Sequence, residues 1–261
     1  MTERFAERRA MMKGYPNRTW DDPTNPQLMS DQERGMAAPP LELPLSDDEA
    51  ARMLRLPEMD AGVVRQPDVV ELIRRRRSRR AYGSEALTLE EVSYLLWATQ
   101  AVTHKPGHGI WTIRTVPSAG ARHPYDTYLV VSDVDGLPAG VHRYVASSHG
   151  LVLIDERAGL HDEFLEAVHG EAFVAEAPVC FIWACTPYRG EWRYHTLAHK
   201  SMLLDAGHIC QSLYLAAESI GCGTCGIGGY WQEGIDQMLG LDGQDTFTVY
   251  MAPVGRVIGA S

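Results

Sequence analysis

Residues 192–220 decide the fold, and their sequence is WRYHTLAHKSMLLDAGHICQSLYLAAESI. Apolar side chains recur in this stretch every three or four positions, which is the period of an α-helix. The stripe comprises Met202, Ala206, Ile209, Leu213, Ala216 and Ile220, and it is widened by Leu203, Cys210 and Ala217. We therefore predict one helix, buried on most sides and roughly 40 Å long at the usual rise per residue. Because that length exceeds what one compact domain needs, a subunit interface is a sensible place for the helix.

Composition sets the class of protein around that helix. The 261 residues are 45% hydrophobic and 22% charged, which suits one large globular domain or two small ones. Lys and Arg number 24 against 34 Asp and Glu, so the formal net charge is -10. This balance argues against nucleic acid or an anionic membrane as the main partner.

Targeting signals and cysteine usage favour the cytoplasm. The sequence has no secretion signal and no apolar run approaching the roughly 20 residues that a membrane span requires. Its five cysteines are an odd number in a long chain, which fits a reducing compartment better than a disulfide scaffold. A cytoplasmic protein without a membrane segment is expected.

The chain is predicted to divide into an N-terminal arm, residues 1–66, and a main domain, residues 67–261. Prolines and polar residues interrupt the arm at 20–29 and 36–45, which disrupts helical and strand periodicity. Short helices are predicted at its start and at 47–54. Trp20, Leu41 and Leu43 are the expected anchors, and both contact with a partner subunit and a flexible tail stay open for the arm.

The main domain is predicted to combine helices with antiparallel strands. Pro67 suits the first residue of a helix, and Thr88 with Glu91 forms a capping box for a second helix that ends near Ala101. Residues 103–113 are interpreted as a loop. A hairpin series, a helix, a buried central strand and a final strand follow. We expect them at 126–133, 140–145, 151–154, 160–168, 178–186 and 245–253.

Six arginines fall within the seven positions 74–80, where the sequence is RRRRSRR. A guanidinium binds phosphate oxygens bidentately and keeps its charge, and the serine adds a neutral donor. Taken alone, the run is more typical of a solvated basic helix end, where arginines complement the helix dipole. The working hypothesis is a pocket for a phosphorylated cofactor.

Two further segments are rich in small residues. Residues 114–125 place them between two prolines, so a flat ligand could approach the backbone closely. Gly221 is predicted to end the long helix, and residues 221–229 contain five glycines in nine positions. Such a segment presents backbone amides, rather than side chains, to a neighbour.

Several segments, in order along the chain, resemble the nitroreductase superfamily from about Pro67 onward. They are RRSRRAY at 76–82, PSAG at 117–120, LDAGH at 204–208, GIGG at 226–229 and PVG at 253–255. More narrowly, the pattern is similar to the SagB-type branch, which includes azoline dehydrogenases that oxidise peptide thiazolines and oxazolines. The resemblance implies an α+β sandwich, in which helices flank a central mixed β-sheet. It also implies a homodimer with FMN at the interface and the long helix at its centre.

The resemblance assigns residues to the cofactor. Arg76 and Ser78 would hold the FMN phosphate with support from Arg77, and Arg256 would be a distal phosphate ligand. Arg80 would lie near the pyrimidine edge of the flavin, where a fixed cation stabilises the charge that develops on reduction. Two more sets would contact the flavin, the first of them from the other subunit. They are Pro117, Ser118, Ala119 and Gly120, and then Gly226, Ile227, Gly228 and Gly229, whose last two amides would face flavin N5 and O4.

Two departures from the family pattern narrow the function. Ala121 and His123 replace the Asn and Gln of many nitroreductases, as expected for a SagB-type protein. Arg193 and Tyr194 stand where azoline dehydrogenases carry a Lys-Tyr pair, and they are the catalytic candidates. Because an arginine has a pKa above about 12, it cannot serve as a proton acceptor, which argues against the azoline reaction itself. Tyr194 could exchange a proton, or it could be an interface aromatic.

Three functions stay open at this point. The first is an FMN oxidoreductase that takes hydride from a modified peptide or a small biosynthetic intermediate. The second is a reductase of nitroaromatics or quinones with NAD(P)H as the donor. The third is a binding or scaffold protein of the same fold without flavin.

No functional metal is predicted. His195, His199 and His208 have suitable helical spacing, but the glutamate of a zinc protease helix is missing beside them. Cys222 and Cys225 have the spacing of a redox motif, yet they follow a helix instead of opening one, so two small buried residues are expected.

Overall fold

The computed structural model describes residues 29–107 and 109–258, together with Arg9 and Met12. Trp20 and the helix predicted at the start of the arm lie outside these residues. The described strands are β1 (Leu54–Arg55), β2 (Leu87–Thr88), β3 (Val102–His104), β4 (Ile113–Arg114), β5 (Tyr125–Val131), β6 (Val134–Asp135), β7 (Gly140–Val145), β8 (Gly150–Asp155), β9 (Val179–Cys185), β10 (Cys222–Thr224) and β11 (Phe247–Arg256).

Helices cover the strands on both sides. They are α1 (Asp47–Arg52), α2 (Val69–Arg75), α3 (Leu89–Gln100), α4 (Leu160–Ala167), α5 (Ala172–Ala175), α6 (Tyr188–Tyr194), α7 (Ala198–Ser219) and α8 (Gln232–Met238). Short 3₁₀ turns lie at Ala61–Val63, Ala119–Ala121 and His195–Leu197. No helix in the described part of the chain is long and apolar enough to cross a membrane.

A seven-stranded sheet forms the centre, in the order β1-β8-β7-β5-β9-β11-β10. Every pairing between its strands is antiparallel, so the predicted mixed sheet is wrong. Parallel contacts lie outside this sheet, in the β2–β6 pair and in a bridge between Ser78 and Thr224. The predicted hairpin series is confirmed, because β5, β7 and β8 are adjacent in the sheet and short connections link them along the chain.

Strand β9 is the predicted central strand, and all seven of its residues are buried. Successive side chains of a strand point to opposite faces. Phe181 accordingly belongs to the core with α3 and α7, whereas Ile182 belongs to the core with α4 and α8. The sheet is therefore the middle layer between two hydrophobic cores.

Two predicted helix starts differ in outcome. Helix α3 begins with the predicted capping box, in which Thr88 accepts from the Glu91 amide and Glu91 reaches back to the Thr88 amide. Helix α2 starts two residues later than predicted, at Val69, because Asp68 caps it by accepting from the amides of Val70 and Glu71. Pro67 therefore precedes the cap and is not the first helical residue.

The predicted single helix at 192–220 is broken in two. His195 has φ 51° and ψ −139°, which is not a helical conformation. Trp192 in α6 is buried and donates its indole N–H to the Met36 carbonyl in the arm. Helix α6 is thus anchored by the arm, whereas α7 is anchored by the sheet. The 22 residues of α7 span roughly 33 Å.

The two ends of the predicted loop at 103–113 belong to short strands. Strand β3 pairs antiparallel with β4, with Val102 opposite Arg114 and His104 opposite Ile113. The buried Arg114 side chain donates to the Gln100 side chain and to the Leu41 carbonyl. This contact joins the end of α3, the hairpin and the arm.

The described part of the arm packs on the main domain of its own chain. Strand β1 extends the sheet beside β8. The buried Arg143 side chain donates to the carbonyls of Leu43 and Pro44 and to Glu49 in α1. A short helix at 47–54 was predicted, and α1 confirms it. These arginine contacts fix the path of a segment that has little regular structure.

A buried ion pair between α3 and β11 gives the first testable prediction. Both terminal nitrogens of Arg256 contact the Glu91 carboxylate, at 2.7 and 2.6 Å, and both side chains are buried. Glu91→Gln keeps the capping box, which tolerates Gln. It removes the buried counter-charge of the guanidinium and leaves it the exposed carboxylate of Glu85, at 3.8 Å. We expect a loss of roughly 3–5 kcal/mol in the free energy of unfolding.

Urea denaturation measures this loss, with Glu90→Gln as the matched control because Glu90 is the exposed neighbour in the same helical turn. The control should change stability by less than about 0.5 kcal/mol. Equal effects of the two substitutions would show that the buried charge pair has no special role.

Candidate functional site

The arginines at 74–80 differ in whether a carboxylate lies near their guanidinium groups. Arg74 pairs with Glu71 at 2.9 Å, and Arg75 lies 3.6 Å from Glu218. Within residues 29–107 and 109–258, no carboxylate lies within 4 Å of the guanidinium groups of Arg76, Arg77 or Arg80. Three neighbouring cations without acidic partners fit an anionic ligand.

Tyr214 of helix α7 joins this basic segment to the glycine-rich loop. Its hydroxyl lies 3.0 Å from Ser78 Oγ and accepts from the Gly226 amide at 2.8 Å. The Arg76 guanidinium lies over the Tyr214 ring, 5.2 Å from its centroid. The first cofactor group, defined as Arg76, Ser78, Tyr214 and the loop 226–229, is therefore one continuous surface.

Glycines allow the basic segment to lie against the sheet. The Arg79 amide donates to the Thr224 carbonyl in edge strand β10. A Cβ placed on Gly255 would lie 2.7 Å from Tyr82, and one on Gly223 would overlap Arg79. Only glycine permits these two side chains to lie so close to the strand backbone. The position of Ser78 therefore depends on glycines in two strands.

The glycine loop is hydrogen-bonded to the sheet at Ile227, whereas Gly228 and Gly229 have space around them. Ile227 exchanges two backbone hydrogen bonds with Met251, at 2.7 and 3.2 Å. A Cβ on Gly226 would overlap the Tyr250 hydroxyl, whereas a Cβ on Gly228 or Gly229 would meet no atom within 4 Å. Nothing described in this chain requires glycine at the last two positions. Their open space and exposed amides fit the close approach of a ligand.

Arg256 does not fit its predicted phosphate-binding role. It is buried, and both terminal nitrogens contact Glu91. Its NH1 also lies 3.4 Å from Cys222 Sγ. Because the charge is neutralised inside the protein, we assign Arg256 to holding β11 against α3. The sequence alone does not reveal this ion pair, because Glu91 lies 165 positions from Arg256.

A second cofactor group forms around Asp205 in the first half of α7. Ser118 donates its hydroxyl to Asp205 at 2.6 Å, and the Ala119 amide donates to the same carboxylate at 3.2 Å. Ser118 Oγ in turn accepts from the His123 amide at 2.9 Å. Burial raises the pKa of Asp205, and the two donors oppose this shift. The segment 117–120 is thus held on the helix, with Pro117 exposed.

Arg193 and Tyr194 belong to this second group. Gly120 has φ 59°, and a Cβ on it would lie 2.5 Å from the Tyr194 hydroxyl and 2.8 Å from the Arg193 side chain. The Arg193 guanidinium lies over the Tyr194 ring at 5.6 Å. The structure therefore brings both catalytic candidates against the Pro-Ser-Ala-Gly segment.

The two cofactor groups are far apart within one chain. Asp205 and Tyr214 are nine residues apart, which corresponds to about 14 Å along a helix and a rotation of about 180°. They consequently lie on opposite faces of α7. Residues that the sequence assigned to one ligand are not brought together by a single chain.

The remaining candidates have partners of their own. His199 contacts Glu191 at 2.8 Å, and His208 lies 3.9 Å from Asp205. In the described ranges there is no cluster of three His, Cys, Asp or Glu that could hold a metal ion. Cys222 and Cys225 are buried and free, and burial raises the pKa of Cys222 to about 11.

Tyr214 and Asp205 are functional candidates for which no role was predicted from the sequence. Tyr214 lies inside the apolar repeat between Leu213 and Leu215, so periodicity marks it as a core aromatic. Asp205 interrupts the apolar stripe of the helix. The sequence signal for Asp205 is a carboxylate among the apolar positions of a buried helix face. A buried carboxylate requires hydrogen-bond donors, so its presence indicates a polar contact there.

His123 generates a pH prediction. Burial lowers its pKa to about 3, and its Nε2 donates to the Thr112 carbonyl at 3.0 Å. Because the folded pKa is depressed below 6.5, the neutral ring stabilises the fold at neutral pH, and this stability is lost as the pH falls from 6.5 toward 3. His123→Gln should remove this loss, which is on the order of a few kcal/mol.

Urea unfolding at pH 7 and pH 4.5 measures the difference between wild type and variant. The stability of His123→Gln relative to wild type should rise at the lower pH. His161→Gln, at an exposed position on α4, is the control. A constant difference between His123→Gln and wild type across this range would contradict the assignment.

Two curated proteins resemble this chain in sequence. The protein MJ1384 of Methanocaldococcus jannaschii, whose name assigns it to the nitroreductases, is 34% identical over 205 residues, covering 76% of this chain and 98% of that protein. The trifolitoxin-processing protein TfxB of Rhizobium leguminosarum is 34% identical over 149 residues. That match covers 56% of this chain but only 35% of TfxB.

Solved structures and a family profile agree with this resemblance. A nitroreductase-type structure from Ralstonia eutropha matches with a TM-score of 0.65 and 25% identity, over 86% of this chain and 100% of that one. The comparison confirms the α+β fold, with an antiparallel central sheet between helices. The profile of the nitroreductase family matches residues 73–256. The chain belongs to the nitroreductase family.

Proposed function

We propose that this protein is an FMN-dependent oxidoreductase of the SagB-type branch. The observation that carries the proposal is the first cofactor group, where Arg76 and Ser78 lie beside Tyr214 and the open glycine loop. The described residues offer these cations no acidic partner. Such cations, a hydroxyl and exposed amides are the groups that bind a phosphate and the flat ring attached to it.

Each residue of this group has a proposed role. Arg76 and Ser78 hold the phosphate with support from Arg77. Arg80, which is exposed, would lie near the pyrimidine edge of the flavin. The loop residues Gly226 and Ile227 fix the position of Gly228 and Gly229, whose amides face the ring. Arg256 is left out of this set because its charge is paired with Glu91.

A second copy of the chain would complete the site. Pro117, Ser118, Ala119 and Gly120 lie on the face of α7 opposite Tyr214, so one chain cannot bring both groups to one flavin. Leu203 and Leu204 of α7 are 49% and 56% exposed, which leaves an apolar surface for a partner. We therefore propose a homodimer with the cofactor between the subunits. A single 29.0 kDa chain that sediments with bound FMN would contradict this arrangement.

FMN supplies a hydride acceptor at N5, and the chain positions the substrate against it. Tyr194 is proposed to hold or exchange a proton at its hydroxyl. The Arg193 guanidinium packs against the Tyr194 ring, so it orients the tyrosine and would stabilise negative charge nearby. Asp205 holds the backbone beside these two residues through Ser118 and Ala119.

The proposed substrate is a modified peptide or a small biosynthetic intermediate, which is oxidised. The likeness to TfxB, a trifolitoxin-processing protein, supports this direction. The arginine in place of the family's lysine argues for a substrate other than a peptide azoline. The second candidate is reduction of nitroaromatics or quinones with NAD(P)H, and the nitroreductase name of MJ1384 favours it. A flavin-lacking scaffold of the same fold is the third, and purified protein that takes up no added FMN would establish it.

Arg76→Ala tests the cofactor site. Removal of the guanidinium beside Ser78 should weaken FMN binding by roughly 10- to 100-fold, because a charge-assisted hydrogen bond is worth about 1.5–3 kcal/mol. Arg74→Ala is the matched control from the same run, since Arg74 is paired with Glu71. Flavin fluorescence titration measures both variants. Full FMN affinity in Arg76→Ala would overturn the phosphate assignment.

The direction of the reaction is tested by anaerobic mixing of the FMN-loaded protein with NADPH. We expect the flavin absorption band to persist through mixing, because a dehydrogenase takes electrons from its own substrate and returns them to oxygen or another acceptor. Rapid bleaching would instead establish the NAD(P)H-dependent reductase.

A further inference from the structure

The direction of one hydroxyl proton can be derived in the first cofactor group. The Gly226 amide is a donor, so Tyr214 Oη must accept it at 2.8 Å. The other hydroxyl within reach of Tyr214 is Ser78 Oγ, at 3.0 Å. A phenol has one proton to donate, and Arg76 above the ring has only donors. The Gly226 amide, the Tyr214 hydroxyl and the Ser78 hydroxyl are all satisfied when Tyr214 donates to Ser78.

This arrangement leaves the Ser78 proton available to a ligand. A serine hydroxyl has one donor and two acceptor sites, and Tyr214 occupies one acceptor site. Ser78 is exposed, so its own O–H can donate to a ligand from solvent. Arg76 is placed beside the same spot because its guanidinium stacks on the Tyr214 ring. Tyr214 therefore positions both donors that would bind an anion, the Ser78 hydroxyl and the Arg76 guanidinium.

We propose that Tyr214 is a positioning residue that makes the site selective for a phosphorylated flavin. The inference rests on the proposed function, since it concerns the same cofactor. Tyr214 acts through Ser78 and Arg76 on the phosphate, whereas its bond to Gly226 acts on the loop beside the ring. The ratio of the affinity for FMN to the affinity for riboflavin measures the contribution of the phosphate to binding, because the two ligands share the ring.

The experiment titrates apoprotein with FMN and with riboflavin and follows flavin fluorescence. Tyr214→Phe keeps the ring under Arg76 and removes only the hydroxyl. We expect it to lower the FMN-to-riboflavin affinity ratio by about tenfold, the effect of one charge-assisted hydrogen bond. Ser78→Ala should lower the ratio similarly. Tyr214→Phe in the Ser78→Ala background should cause no further loss, because the tyrosine acts through the serine.

Tyr94→Phe is the matched control, because the Tyr94 hydroxyl also lies 3.0 Å from a serine, Ser219, on helix α7. It should leave the ratio unchanged. A Tyr214→Phe ratio within twofold of wild type, or a full Tyr214→Phe effect in the Ser78→Ala background, would overturn the inference. If Tyr214→Phe does not fold, an unchanged ratio in Ser78→Ala overturns it alone.

The wild type separates this inference from the proposed function. Wild-type protein that binds FMN and riboflavin equally would refute the selectivity while leaving the flavin assignment intact. Wild-type protein that binds neither flavin would refute both.

Discussion

Helix α7 carries two polar side chains on opposite faces, and each of them fixes a loop that comes from a distant part of the sequence. Asp205 holds the Pro-Ser-Ala-Gly segment, and Tyr214 joins Ser78 to the glycine loop. The apolar stripe between them packs α7 on the sheet, so the helix cannot shift without exposing core side chains. Because the helix is fixed by that packing, the two loops are held at a constant separation.

The arginines show how environment decides the role of one residue type. Arg256 is buried and must be paired, since an uncompensated buried charge is worth several kcal/mol of instability. Arg74 is exposed, so solvent screens its pair with Glu71 and the pair adds little stability. Arg76 has no acidic partner in the described residues and stacks on an aromatic ring. It is the guanidinium best placed to exchange water for a ligand's phosphate.

The arm depends on arginines in a third way. Arg114 and Arg143 are buried under it and donate to carbonyls of a segment with little secondary structure of its own. Burial lowers the pKa of Arg114 to about 10. A buried donor needs an acceptor, so these side chains and the carbonyls of the arm satisfy each other. The arm is thereby part of the folded unit on its own chain, and its strand β1 covers an edge of the sheet that would otherwise be open.

Local chemistry fixed those features that depend on neighbours in sequence. Periodicity and turn residues predict four features that the structure confirms. They are the capping box at Thr88 and Glu91, the glycine end of α7, the buried strand β9 and the order of the hairpins. The sequence by itself also located the basic run and the glycine loop. What only the tertiary structure decided is which partners these residues meet. Arg256 is paired with Glu91, Tyr214 contacts Ser78 and Gly226, and the helix is interrupted at His195, next to a segment that contacts the arm through Trp192. Such pairings join residues that are many positions apart, so they depend on the packing of the whole chain and leave no periodic signal in the sequence.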